Sequence, residues 1–82
     1  MGIMKNKVYD AVVSGQTDNN INYNDFQNLI VDLGFEFKRQ VGSHRIYRHP
    51  VYKIKMNIQP DGSKAKAYQV KQLRIIINEY GL

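Results

Sequence analysis

Phe26, Leu29, Ile30 and Leu33 fall at i, i+3, i+4 and i+7, one apolar stripe on a helix, and the residues between them are polar or charged except Val31. Asn22 or Asn24 can cap the start of this helix, and Asp25 stands in its first turn, facing the positive end of the dipole. Gly34 follows the last stripe residue and suits a left-handed stop. The pattern then changes period. Phe35-Glu36-Phe37-Lys38-Arg39-Gln40 alternates, with Phe35 and Phe37 on one face and Glu36 and Lys38 on the other. Gly42-Ser43 is a short turn into a second strand, His44–His49, which Pro50 ends because it donates no ladder hydrogen bond. Tyr52–Ile58 alternates again, with Ile54, Met56 and Ile58 expected inward and Lys53, Lys55 and Asn57 outward.

Gln59-Pro60-Asp61-Gly62-Ser63 is a turn-forming loop. Beyond it, Val70, Leu73, Ile77 and Tyr80, with Ile76 beside them, predict a last helix from about Ala67 to Glu79, closed by Gly81. The N-terminal stretch from Ile3 to about Ser14 is weakly helical, with Met4, Val8, Ala11 and Val12 on one face, and the polar run 14–20 connects it to the first stripe. The sum is an α+β chain of 82 residues forming one domain: a helical extension and loop over 1–21, then a helix–strand–strand–strand–helix core over 22–82. Three consecutive strands with short turns make an antiparallel meander whose apolar face needs the helices as cover. That is the two-layer, α-β-β-β-α order of a double-stranded-RNA-binding domain, with an extra N-terminal helix.

Charge divides this picture. Residues 1–34 carry two lysines against four aspartates, a net of −2, whereas residues 35–82 carry ten Lys/Arg against three acids, a net of +7. A cationic half of this kind is either a solvated basic surface or a polyanion site whose binding weakens steeply with salt. The chain has no cysteine, which excludes disulfides and thiolate metal sites. Its longest apolar run near the C-terminus, Ile75-Ile76-Ile77, is far short of a membrane span. Residues 1–6 contain no signal-peptide stretch, and Asn6 breaks the myristoylation pattern, so a soluble cytoplasmic protein is expected.

The candidate chemistry lies in Gly42-Ser43-His44-Arg45-Ile46-Tyr47-Arg48-His49-Pro50. A small-residue turn lets a substrate approach the backbone closely and delivers one imidazole, able to move protons near neutral pH, to a strand carrying arginines. Arg39, Arg45 and Arg48 are candidate phosphate donors, and Tyr47 could stack on a base or orient a phosphate. Lys64, Lys66 and Lys71, around the start of the last helix, could grip a nucleic-acid backbone with help from the helix N-terminus. Simple alternation with Ile46 as a core residue would send His44 inward, so His44 is expected at the sheet rim, outside strict alternation. His49, beside Pro50, is expected to be a surface histidine. No metal site or small-molecule cofactor is expected: the two histidines, five apart on a strand, match no common ligand spacing. RNA fits these parts as a substrate, because its vicinal 2′-hydroxyl is a built-in nucleophile needing only a base and cations.

These residues resemble a known family. Leu33-Gly34-Phe35, the run from Arg39 to Pro50, and the helix Gln69-Val70-Lys71-Gln72-Leu73-Arg74 ending at Tyr80-Gly81-Leu82 are similar to the HicA-type toxins of toxin–antitoxin pairs, over about residues 22–82. The resemblance implies a toxin of a type II system, a double-stranded-RNA-binding-like fold, metal-independent endonucleolytic cleavage of mRNA and translational arrest. It also implies neutralisation by a cognate HicB antitoxin covering the active site. The family's catalytic histidine falls on His44, and the preceding glycine and serine on Gly42 and Ser43. The same fold acting as a non-catalytic RNA-binding module is the alternative. About twenty residues precede the first stripe helix, where compact members of the family begin.

Overall fold

The computed structural model describes residues 6–82. Helix α1 spans Lys7–Ser14 and starts where the Asn6 side chain accepts from Tyr9 N at 3.0 Å. Ile3 and Met4, which the periodicity also assigns to this helix, lie outside the described residues. Helix α2 covers Tyr23–Asp32 and is capped by Asn22, whose Oδ1 accepts from Asp25 N. Its predicted stripe, Phe26, Leu29, Ile30 and Leu33, is fully buried. The helix closes on a Schellman motif, with Gly34 N–H donating to Val31 O and Phe35 N–H to Ile30 O.

Strands β1 (Glu36–Val41), β2 (His44–Arg48) and β3 (Lys55–Ile58) form an antiparallel sheet in the order β1-β2-β3. The predicted third strand is shortened at its start: Lys53 takes a positive φ of 59° in the connection from His49, where His49 N–H donates to Ile54 O. The segment read as a loop contains a second small sheet, β4 (Pro60–Asp61) and β5 (Lys64–Ala65), joined through Gly62-Ser63. Helix α3 spans Ala67–Tyr80 and buries Val70, Leu73, Ile76 and Ile77 as expected, together with Gln69.

All three helices contribute to one side of the three-stranded sheet, where they share a core with Phe35, Tyr47, Met56 and Ile58. The other side of the sheet is left to solvent. This is an α+β two-layer fold with the helix–strand–strand–strand–helix order of a double-stranded-RNA-binding domain, preceded by α1. The N-terminal segment is built into the same core, because Tyr9, Val12 and Ile21 are buried within it. Tyr9 OH donates to Leu82 O at 2.8 Å, and Arg74 donates to Val12 O at 2.9 Å. Arg74 also holds Asp18 through two hydrogen bonds, 2.9 and 3.0 Å, the planar fork geometry that fixes orientation as well as charge.

Those hydrogen bonds from Arg74 hold the Asp18 carboxyl below its ordinary value of 3.8 against an opposing effect of burial, and the Arg74 and Lys71 charges lower it further. A carboxyl depressed in the folded state contributes stability that is present above its unfolded pKa and is lost as pH falls through the folded one. The stability difference between wild type and Asp18→Asn is therefore expected to be constant above about pH 5. It should shrink as the pH drops through 3.8 and below. Urea unfolding of both proteins across that range measures it, and a difference unchanged down to acid pH would refute the coupling.

Gly34 is the most constrained glycine. Its φ is +103°, and a Cβ there would lie 2.7 Å from His49 Nε2. Strain at such a φ alone costs about 1–3 kcal/mol, and the contact with an immobile buried ring adds to it. Gly34→Ala is expected to lose at least about 2 kcal/mol of unfolding free energy, read from a denaturation midpoint. A loss below about 0.5 kcal/mol would show that the ring gives way, since substitutions without such a conflict stay within that range.

Candidate nucleic-acid interface

The β1–β2 turn fixes the site. Val41 pairs with His44 across a two-residue turn, and Gly42 takes φ +60° while Ser43 does not share a positive φ. That is the signature of a type II′ turn, whose twist matches the flanking strands. Gly42 is needed for this backbone rather than for room, since nothing lies within 4 Å of where its Cβ would stand. The Gln40 side chain closes the turn by donating to Gly42 O at 3.0 Å.

Register then assigns the faces. Tyr47 pairs with Phe37 and Met56, and Arg45 pairs with Gln40 and Ile58, so these residues point toward the helices. Ile46 pairs with Arg39 and Asn57, and Arg48 pairs with Glu36 and Lys55, so these share the open face with His44. The expectation that Ile46 is core is corrected. Tyr47, 1% exposed, fills that place, while Ile46 is half-buried on the outer side. His44 consequently obeys strict alternation and is exposed, with no need for a rim exception.

A β-bulge decides the position of Arg39. The β1–β2 register shifts between Phe37 and Arg39, so that Lys38 is the extra residue. Without it, alternation would put Arg39 on the helix side with Phe37; with it, Arg39 faces Ile46 on the open side. The open face thus carries Arg39, Arg48 and Lys55 around His44, Asn57 and the apolar residues Val41 and Ile46. Its acid, Glu36, is engaged by Lys38 at 3.0 Å. The His44 Nδ1 lies 3.0 Å from Asn57 Oδ1, a contact that links two strands.

Two of the predicted site residues on β2 stand on its other face. Arg45 is on the helix side, its guanidinium 4.1 Å from the Phe37 ring centre, donating to Gln40 Oε1 at 2.9 Å and to the Tyr47 hydroxyl at 3.2 Å. It is a packing and hydrogen-bonding residue beneath the sheet, on the face opposite His44. Tyr47 cannot stack on a base, because its ring is buried and its hydroxyl donates to Gln27 Oε1. Beside them the Tyr23 hydroxyl is buried with no hydrogen-bond partner among the described residues, and its phenol is pushed above its ordinary value, first by burial and then by Tyr47.

The lysines are carried by the small hairpin and α3 rather than by the three-stranded sheet. Lys64 lines an open hollow of about 240 Å³ with Lys7, Asn22 and Asp25, Lys66 takes the N-cap position of α3, and Lys71 is exposed on that helix. His49, expected on the surface, is 5% exposed. Its Nε2 donates to Leu33 O at 3.2 Å and its Nδ1 accepts from Val51 N at 3.2 Å, which makes it a structural histidine. Asn57 is the site residue that sequence reasoning missed as a partner of His44. Its alternation correctly pointed outward, but nothing in sequence pairs positions thirteen apart.

No group of three or more His, Cys, Asp and Glu side chains that could hold a metal occurs among the described residues, and none of their helices is long and apolar enough to cross a membrane. A small α+β domain with helices on one side and an open, cation-bearing sheet face displaying a single histidine is the class of protein these features define. Residues 23–82 match the model of the family described as the HicA toxin of bacterial toxin–antitoxin systems, and the chain belongs to that family. Membership implies an antitoxin partner. No curated protein and no solved structure matches the chain.

Proposed function

We propose that this toxin is a metal-independent endoribonuclease that cleaves mRNA on the open face of the sheet and so arrests translation and growth. The observation that carries the reading is the placement of His44: exposed, on a face with Arg39, Arg48 and Lys55, and with Nδ1 engaged by Asn57. With Nδ1–H donating to the amide oxygen, Nε2 keeps its lone pair toward solvent, as a general base requires. It takes the proton of the ribose 2′-hydroxyl. The resulting alkoxide attacks the adjacent phosphorus, the bond to the 5′ oxygen breaks, and that oxygen takes a proton from solvent. The products are a 2′,3′-cyclic phosphate and a 5′-hydroxyl. Because the nucleophile belongs to the RNA, no metal-activated water is needed.

The arginines and Lys55 would hold the phosphodiester and stabilise charge that develops on its oxygens. Gly42 and Ser43 would let the strand pass close to the turn, while Lys64, Lys66 and Lys71 would act only on RNA that reaches round to the hairpin and α3. A cognate HicB-type antitoxin of acidic character would neutralise the toxin by covering the same face, since a cationic surface attracts an anionic partner quickly at low salt. Toxin, antitoxin and mRNA would meet in the cytoplasm. Induction of wild type beside His44→Ala, with total RNA integrity and growth followed over time, tests the reading. Equal toxicity of the variant would favour a non-catalytic RNA-binding module of the same fold.

A further inference from the structure

Among the described residues, the Asn57 side chain is the hydrogen-bond partner of an otherwise solvent-facing His44 ring, and the structure holds it from behind. Asn57 sits on β3 opposite Ile46, diagonal to His44, within the reach of cross-strand neighbours. Its own peptide oxygen accepts from Gln69 Nε2 at 3.2 Å, while Gln69 Oε1 accepts from Gln59 N at 3.1 Å. Gln69 is 2% exposed in the first turn of α3, so this amide pins the Asn57 carbonyl and the Gln59 N–H, on either side of Ile58, to the helix layer. A buried polar side chain satisfied in this way fixes backbone position. The outward-facing Asn57 amide is therefore presented from an anchored point on the edge strand.

From this geometry we infer that Asn57 is a positioning residue which holds the His44 imidazole in its Nδ1–H form and sets the direction of Nε2. The physical reason is a matter of donors and acceptors. A neutral imidazole has one of each, and an amide oxygen can only accept, so the contact at Nδ1 selects the proton at that nitrogen. In water the proton of a free imidazole prefers Nε2, which would leave the outward nitrogen a donor and useless as a base. An amide does this without adding negative charge to a face that must receive a phosphodiester. A carboxylate would orient the ring equally well but would repel the substrate.

The consequence for catalysis rests on the ribonuclease reading, whereas the tautomer does not, and the test separates the two. Long-range proton–nitrogen correlation spectra of the full chain report which imidazole nitrogen of His44 carries the proton. Wild type is expected to show Nδ1–H, Asn57→Ala to convert largely to Nε2–H, and Asn57→Asp to retain Nδ1–H. Asn57 is exposed, so folding of the variants is preserved. With a model RNA, Asn57→Ala should lower kcat by roughly 10-fold or more at little change in KM, a share of the 10²–10⁴ carried by a positioned base. Asn57→Asp should keep most of kcat and raise KM. An Nε2–H signal in wild type, or one unaltered by Asn57→Ala, overturns the inference. Expected tautomers combined with undiminished RNA cleavage by His44→Ala would support the tautomer assignment and bring down only His44 as the catalytic base.

Discussion

His44→Ala is expected to reduce RNA cleavage by roughly 10²–10⁴-fold, the range contributed by a single positioned acid–base group. RNA affinity should stay within a few-fold. The two effects separate because they belong to different side chains on the same face. Affinity for a phosphate backbone comes from fixed cations and scales with the number of phosphates neutralised. Here those cations are Arg39, Arg48 and Lys55, none of which is packed against the His44 ring by any hydrogen bond of the structure. The ring itself is exposed and is held by a hydrogen bond to Asn57, so its removal leaves the core untouched and the fold stable. Gel-resolved cleavage of a labelled RNA and fluorescence anisotropy of the same strand in non-cleaving form give the two numbers. If rate and affinity fell together, His44 would be a binding residue; if neither moved, the open face would need another base.

How far this site could be read from sequence depended on whether the information was local. The stripe Phe26, Leu29, Ile30 and Leu33, its Asn22 cap and its Gly34 stop are all written within the consecutive residues 22–34, and the structure reproduces them. The Gly42-Ser43 turn is equally local, since a glycine between alternating strands states its own backbone requirement. The face of β2 is not local. His44-Arg45-Ile46-Tyr47-Arg48 offers an apolar residue to either side, and an aliphatic at Ile46 outweighed an aromatic at Tyr47 when judged by type alone. What decides it is the pairing of Tyr47 with Met56, whose strand alternates with Ile58 into the helices. Arg39 was legible as a candidate for the wrong reason, because only the bulge at Lys38 carries it to the side of His44. The β4–β5 strands of two residues each are shorter than any period can reveal. The His44–Asn57 contact joins different strands, and a single sequence holds no signal for it.

His49→Ala is expected to do the opposite of His44→Ala: to cost about 2–4 kcal/mol of stability, the range for emptying a buried site and orphaning its partners, while leaving cleavage per folded molecule unchanged. For a domain of this size that corresponds to a fall in Tm of roughly 10–25 °C. The ring stands edge-on to Phe35, centroids 5.2 Å apart, and lies against Tyr52 at 4.8 Å. Its Nε2 serves Leu33 O at the end of α2, and its Nδ1 serves the Val51 and Tyr52 amides in the turn between β2 and β3. One side chain therefore ties the helix C-terminus to the strand connection, and Gly34 has no Cβ where Nε2 lies. Truncation leaves a cavity, and a carbonyl and two turn amides without this partner, which costs more than the lost contacts alone. His49→Asn separates these contributions, because an amide oxygen close to the place of Nδ1 can still accept from the turn while nothing reaches Leu33. It should recover part of the loss and no more. Chemical denaturation of wild type and both variants, with cleavage assayed well below each midpoint, makes the comparison. A His49→Ala protein as stable as wild type would mean that the β2–β3 turn and the α2 terminus hold their positions without this ring.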